Sequence, residues 1–472
     1  MIGKQDRWQE DLFVAGPLRD LVPDDHILKR VSRVLDLSWL RQEVSDCYDE
    51  GLGRPSIDPE AAVRLMLAGF FQGIVHDRKL MREAQVNLAI RWFAGYRLHE
   101  ALPDHSSLTR IRQRWGARRF KKIFQRTVEQ CIRKGLVDAE TVHVDATLIR
   151  ADVSWESLVE VHAEKVVKEN EEDGPRRVGG RPGKRGKGKK RSTTDPDCTM
   201  TTNRNDQRME PAYKQHVAVE DKSGVIVDVE VTTGEESEGK RLLGQLERVE
   251  RMTKQKVKRV TGDAGYAHAA NYAALEERLT EAVIPPQEES RKCKHIPLRR
   301  FKYDGKHDVM KCPVGRKLCR GGYDERGRRY RARRKDCQAC PLRQRCLPDT
   351  AKARQVLIVD GYEALLRARR WRSRWDQETC EWYERHRWRV EGRHGEAKTQ
   401  HGLRRAARRG LWNMEIQSYL TAAVQNLKRL AALLSAFLGW MERHRGRGRD
   451  RGGIGTPRTE RMDLYRSDRR AA

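Results

Sequence analysis

The sequence contains no run of about 18 uncharged apolar residues, which excludes an ordinary transmembrane helix. Its most apolar stretch, Leu411–Trp440, is interrupted by Glu415, Lys428 and Arg429. The first residues, with Gln5, Asp6, Arg7 and Glu10, lack the apolar centre of a secretory signal. Cysteine is sparse: ten in 472 residues are too dilute for a secreted disulfide scaffold. Acids are in deficit, with 68 Asp and Glu against 97 Lys and Arg, a formal charge of +29. No aromatic RNP-like signature or GXXG clamp supports a dedicated RNA-binding module. These absences predict a soluble cytoplasmic protein with no membrane partner and a polyanionic ligand.

Apolar residues make up 38% of the chain, enough for genuine cores, and its length suits roughly two or three domains. Charged residues reach 35%, against about 25% in ordinary globular proteins. An excess of cations this large and this widely spread favours nucleic acid, since each phosphate contact releases counterions. Solubility or a membrane-surface patch are the other readings of a basic isoelectric point.

Residues 1–140 read as helical. Asp58-Pro59-Glu60 offers a capping acceptor, a proline at the first helical position and an early acid, and Val63, Leu67, Phe70 and Phe71 follow at helical spacing. A second start at Pro103-Asp104-His105-Ser106 precedes Leu108, Ile111 and Trp115 on one face, leaving Arg110, Gln113 and Arg114 elsewhere. Arg and Gln pair bidentately with guanine and adenine edges, so this helix can read a major groove. It can equally be a solvated face.

From 141 the pattern turns to strands at Thr141–Asp145, Lys214–Val219 and Val225–Val231. A helix over about 235–252, a strand at Val257–Thr261, a helix near 267–279 and a strand at Ala282–Pro285 follow. This order predicts a mixed sheet with helices packed on it. Pro175–Arg191 holds nine Lys or Arg and no acid, and reads as a flexible basic loop. Helices return at Glu381–Thr399 and Met414–Leu438, before a tail from Arg443 with ten Arg against four acids, read as a disordered basic arm.

Three acids stand out. Asp145 lies inside an apolar strand, on the same face as His143 by alternation. Asp263 directly follows a second short strand; an Asp-Gly strand-end turn is the plain alternative. On the helix near 381–399, Arg387, Glu391 and Lys398 fall within a narrow arc, with the uncovered Gly395 beside them. That stripe fits a carboxylate that holds metal flanked by cations that hold phosphate, or a salt-bridged surface helix. Glu396, about 140° round from Glu391, reads as a bystander.

His143-Val144-Asp145-Ala146-Thr147, Thr261-Gly262-Asp263-Ala264-Gly265-Tyr266 and Tyr383…Arg387…Glu391…Lys398 together resemble the acidic motifs of bacterial insertion-sequence transposases of the DDE class, whose third acid lies in a Tyr-Arg-Glu-Lys signature. The Pro103–Ser107 segment and Gln425-Asn426-Leu427-Lys428-Arg429-Leu430 resemble that family's flanks, so the likeness spans most of residues 10–435. It implies an α/β fold: a ribonuclease-H-like mixed sheet core, an all-helical N-terminal domain and a cysteine-containing basic insertion. The implied division is 1–140 for DNA-end binding, 141–286 for the first part of the core with a basic loop at about 165–195, 287–378 for the insertion, 379–440 for the closing helices and 441–472 for the tail. It further implies Mg2+ or Mn2+ on Asp145, Asp263 and Glu391, phosphate contacts by Arg387 and Lys398, and a homodimer holding double-stranded transposon ends and target. His143 and His394 are read as supporting residues. A non-catalytic repressor or architectural factor on the same fold is the rival reading.

Five cysteines cluster between Cys312 and Cys346. Cys312, the pair Cys337 and Cys340, and Cys346 read as a structural Zn2+ site, with Cys319 as a spare ligand and unmetallated thiols as the alternative. The segment is rich in charge and poor in apolar residues, so the metal is expected to hold it together.

Overall fold

The computed structural model describes residues 16–49, 56–160, 190–202, 209–287, 294–324 and 327–445. Six helices come first: α1 (Ile27–Ser32), α2 (Leu40–Glu43), α3 (Pro59–Phe71), α4 (Asp77–Val86), α5 (Leu88–Ala94) and α6 (His105–Arg133). The expected caps are present. The Asp58 carboxylate accepts from the backbone N–H groups of Glu60 and Ala61, and Asp104 accepts from that of Ser106. Gly116, at φ 64° and ψ 171°, breaks α6 into two helical pieces, a conformation that glycine adopts without the Cβ penalty.

The strands β1 (Thr141–Arg150), β2 (Leu158–Glu160), β3 (Lys190–Ser192), β4 (Thr199–Thr202), β5 (Met209–Glu220) and β6 (Ile226–Thr233) lead to helix α7 (Leu242–Thr253). Strand β7 (Arg259–Thr261), helix α8 (Ala269–Glu277) and strand β8 (Glu281–Val283) complete this part. The central order is β6-β5-β1-β7-β8. β1, β5 and β6 form an antiparallel meander, whereas β7 runs parallel to β1 and β8 parallel to β7. Most of the expected flexible basic loop, residues 161–189, lies outside the described residues. Its end does not fit that expectation, because Lys190–Ser192 forms a strand paired with both β2 and β4.

The insertion builds a separate antiparallel sheet from β9 (Lys302–Asp304), β10 (Val309–Lys311), β11 (Lys317–Asp324), β12 (Gly327–Ala332) and β13 (Gln355–Ile358), in the order β13-β12-β11-β10-β9. Two short helices, α9 (Arg334–Gln338) and α10 (Arg343–Cys346), sit between β12 and β13. Phe301, Met310, Leu318, Tyr330, Val356, Ile358 and Tyr362 form its own small core. The insertion therefore has a means of folding besides metal, contrary to the sequence expectation. The apolar residues alternate along short strands, and that spacing hides them among arginines.

Helix α11 (Tyr362–Arg372) returns the chain to α12 (Gln377–Gln400) and α13 (Leu411–Arg445). One continuous core joins the N-terminal helices to the sheet: Phe120, Phe124 and Val128 of α6, Val142 and Val144 of β1, Leu246 of α7, and Leu420 and Leu427 of α13. The helical section thus shares its core with the sheet. Asn426 of α13 works as an edge strand would. Its side-chain carbonyl accepts from the Ile226 N–H and its amide donates to the Ile226 carbonyl, each at 2.9 Å.

A buried charge cluster ties α4 and α6 to the loop before α13. Arg112 of α6 donates to both carboxylate oxygens of Asp77, at 2.6 and 2.7 Å, and Arg408 lies 2.7 Å from the same carboxylate. Burial would raise the Asp77 carboxyl, but the two guanidinium groups outweigh it and hold the pKa below its ordinary value. Removing Asp77 leaves two cations in low dielectric without a counter-charge, which costs about 3–5 kcal/mol. Asp77→Ala is therefore expected to lower the denaturant midpoint by a corresponding amount; a loss under about 1 kcal/mol would show that the cluster is well solvated.

Glu220, at the end of β5, behaves in the opposite sense. Burial drives its carboxyl up to about 8, although the N–H groups of Ser223 and Lys222 donate to it. Between 4.5, its value without the fold, and about 8, the folded chain keeps a proton that the unfolded chain releases. Stability from this group is present at the acid end of that window and is lost as pH rises. Glu220→Gln, neutral throughout, should flatten the fall of the thermal midpoint between those pH values; an unchanged slope would assign the effect elsewhere.

Candidate active site

Alternation along β1 splits its side chains between two layers. Val142 and Val144 enter the helical core, while His143 and Asp145 face α12. The register of β1 with β7 pairs Val142 with Val260 and His143 with Thr261. Two residues further on, the same parallel register brings Asp145 to the level of Asp263. Asp145 is still within β1 there, whereas Asp263 lies two residues past the end of β7, at the start of the turn Ala264–Tyr266.

A hydrogen-bonded chain fixes that face. His143 is fully buried, its Nε2 lies 2.9 Å from an Asp221 oxygen and its Nδ1 lies 2.6 Å from Thr261 Oγ1. Thr261 Oγ1 is also 2.9 Å from Nδ1 of His386 on α12. Burial lowers the pKa of His143 and drives His386 down to about 4, so both are neutral at neutral pH. Asp221 is ionised and can only accept. His143 then donates through Nε2, Thr261 donates to His143 Nδ1, and His386 donates through Nδ1 to Thr261. Arg385 adds a second donor to Asp221 at 2.9 Å.

His394, two turns beyond His386, places Nε2 3.5 Å from Asp145 Oδ2. Burial would raise the Asp145 carboxyl, but His394 and then His386 outweigh it, so it stays ionised. Lys398 is half-buried on the same helix face. Its pKa is lowered by burial and by Arg404, with Asp145 and Glu210 opposing. Tyr383 stacks on His386 with ring centroids 6.2 Å apart. Burial raises its hydroxyl pKa, and the charge of Asp263 is the next contributor.

Asp263 caps the short turn Ala264–Tyr266, its Oδ1 accepting from the Gly265 N–H at 2.7 Å. Glu391 stands apart from the two aspartates. Its side chain is 63% exposed and pairs with Arg387 Nε at 3.1 Å along the helix. Among the described residues, no group of three or more His, Cys, Asp or Glu is gathered tightly enough to hold an ion.

Glu396 is not the bystander the helical wheel suggested. It is nearly buried, receives Lys428 and Gln425 of α13, and lies 3.0 Å from Arg393. The wheel angle separated it from Glu391 correctly but could not show that its side of the helix is covered by α13. Sequence reasoning also missed Glu238, which the structure brings to Asp263. An ideal Cβ on Gly265 would stand 2.6 Å from Glu238 Oε2 and 2.8 Å from Asp263 Oδ1. Glu238 is one of three acids in Glu235-Glu236-Ser237-Glu238, and nothing in that run singles out the one that turns inward.

Arg110, Gln113 and Arg114 are all exposed on α6, as the pattern predicted. Arg114 also stacks its guanidinium over the Tyr48 ring, 4.9 Å from the centroid. In the insertion, Cys312, Cys337 and Cys346 pack against one core. Burial raises the Cys346 thiol pKa, Arg354 opposes, and Cys337, Cys340 and Cys312 add to the rise, but among the described residues the thiols are not gathered tightly enough to hold an ion. Cys319 is exposed on β11.

Residues 16–114 match a family model described as a transposase domain, which includes the Arg110 face. Residues 311–431 match one described as a transposase DDE domain, which includes α12 and the cysteine cluster. No curated protein matches the chain. Among solved structures, a piggyBac transposase synaptic complex with hairpin DNA is 9% identical, with a TM-score of 0.35 over 89% of this chain and 75% of that one. The Mos1 transposase paired-end complex with the left transposon end is 12% identical, with a TM-score of 0.16 over 52% of this chain and 65% of that one. The Mos1 mariner paired-end complex with Mn is 15% identical, with a TM-score of 0.15. Scores this low establish no shared fold. The two matched segments, each similar to a transposase domain and the second to one of the DDE type, support reading the chain as a DNA transposase.

Proposed function

We propose that the chain binds the ends of its insertion sequence and cuts and joins DNA strands at a site built on Asp145, Asp263 and Glu391. The observation that carries this reading is the parallel β1–β7 register, whose continuation supports Asp145 and Asp263 lying at one level, with α12 supplying Glu391, Arg387 and Lys398. The strand order β6-β5-β1-β7-β8, with one antiparallel meander and two added parallel strands, supports a ribonuclease-H-like core. Arg110, Gln113 and Arg114 would read the terminal repeat. Two copies would hold a pair of ends, in the nucleoid of a bacterial cell. We divide the chain as the sequence suggested, at about 140, 286, 378 and 440.

Hard carboxylate oxygens suit Mg2+ or Mn2+. Asp145, Asp263 and Glu391 would hold such ions, which would supply Lewis-acid activation of the attacking oxygen and stabilisation of the leaving one. The chain's own groups do the rest. Lys398 and Arg387 orient the phosphate, His394 holds Asp145 in place, and the His143–Thr261–His386 chain keeps α12 over the strand ends. Glu391 would have to give up its Arg387 partner to join the two aspartates.

Asp145→Asn, Asp263→Asn and Glu391→Gln should each abolish strand cleavage of DNA carrying the element's ends while retaining end binding in a mobility-shift assay. Substantial nicking by one variant would remove that residue from the set. Equal loss of binding and cleavage would favour a structural role.

The four thiols carry a separate proposal, that Cys312, Cys337, Cys340 and Cys346 hold one structural Zn2+. Soft sulfur ligands fit that ion. The Arg354 N–H also donates to Cys337 Sγ at 3.5 Å, a contact that steadies a thiolate. Reduced, freshly purified protein should contain about one zinc per chain, and Cys337→Ser should release it and expose residues 334–347 to protease. Because the insertion has its own apolar core, β10 to β13 should stay folded after zinc loss. Metal analysis finding no zinc would reject the site.

A further inference from the structure

Glu238 begins the short turn Glu238–Arg241 that follows β6, and its carboxylate leans away from that turn towards Asp263. Oxygens of both acids stand within 2.8 Å of the point where a side chain on Gly265 would begin, so only glycine leaves room for them there. The approach is locked from behind. The Asn271 side-chain amide donates to the Gly239 carbonyl at 2.8 Å and to the Tyr266 carbonyl at 3.0 Å, tying the turn after Glu238 to the turn after Asp263.

Tyr266 supplies an independent sign that something is held between these acids. It is fully buried, and its hydroxyl has no hydrogen-bond partner among the described residues. The charges that bear on that hydroxyl are those of Asp145, Glu238 and Asp263. A buried hydroxyl ordinarily finds a partner. Lys214 is 3.2 Å from Glu238 Oε1 and supplies the nearest ammonium. Burial raises the Glu238 carboxyl, Lys214 opposes, and the charges of Asp263 and Asp145 add to the rise. Carboxylates crowded away from water in this way are paired or coordinate metal. Glu391, by contrast, is exposed and already paired with Arg387.

We propose that Glu238 is a fourth carboxylate of the strand-cutting site, which gathers with its neighbour Asp263 and with Asp145 around a divalent cation when one binds. The inference rests on the assignment of Asp145 and Asp263 above and adds a ligand from the turn after β6. The Tyr266 hydroxyl then donates to a carboxylate oxygen or to water on the cation. Glu235, exposed on the same acidic run, takes no part.

The test is a titration of the full, DNA-free chain with Mn2+, the free ion being followed by its paramagnetic resonance signal. Glu238→Gln should weaken Mn2+ binding at least tenfold, as should Asp145→Asn and Asp263→Asn, while Glu235→Gln binds as the parent does. Glu238→Asp keeps the charge but shortens the reach, so its affinity should fall between the parent and Glu238→Gln. If Glu238→Gln binds Mn2+ like the parent while both aspartate variants lose it, Glu238 serves Lys214 alone and the proposal falls without harm to the site. If none of the three changes affinity, the site and the proposal fall together. Should Glu238→Gln fail to fold, Glu238→Asp decides: parental affinity overturns the proposal, and weaker binding with a native melting profile supports it.

Discussion

The short hydrogen bond between His143 and Thr261 is the contact on which the site's geometry depends. It joins two neighbouring strands through side chains on one face, and its threonine is shared with His386 of α12. Because both imidazoles are buried and neutral, each has one donor and one acceptor nitrogen, and only one arrangement of protons satisfies the chain through to Asp221. That arrangement sets the register of β1 against β7 and the position of α12 at once. The two aspartates lie two residues beyond the linked pair, so whatever fixes His143 and Thr261 fixes Asp145 and Asp263.

The opposite side of α12 is secured by α13. Glu396 gathers Lys428 and Gln425 there, and Gln425 also donates to the Arg393 carbonyl at 2.8 Å. Next to it, Asn426 pairs with the backbone of β6. The Gln425–Leu430 segment therefore acts as a clamp, with consecutive side chains addressing α12 and the edge of the sheet. Gln425 and Asn426 are buried and their side-chain hydrogen bonds cross between elements, which rigidifies the scaffold under an acidic site.

Local signals reported their own elements well. The acid-proline start at Asp58 and the cap at Asp104 announce helices whose first N–H groups need acceptors, and alternation announces β1, β5 and β6. The long-range pairings were less legible. No pattern in Glu235–Glu238 tells which acid turns inward, because that depends on Gly265 and Asn271, distant in sequence. Glu396 looked idle for the same reason: its partners come from α13. The insertion looked dependent on metal because Met310, Leu318, Tyr330 and Val356 are scattered among cations, and only strand pairing collects them. Asp145 was legible because an acid within an apolar strand is costly without a partner, whatever the surrounding fold.

The proposed site would have the end of β1, the segment after β7 and the turn after β6 surround one divalent ion. Substituting Fe2+ for that ion and generating hydroxyl radicals from it with peroxide and ascorbate would cut the backbone where the ion sits. The account predicts cuts beside Asp145, Asp263 and Glu238, all suppressed by excess Mg2+. Cuts absent from all three segments, or confined to the cysteine-bearing residues 312–346, would contradict it.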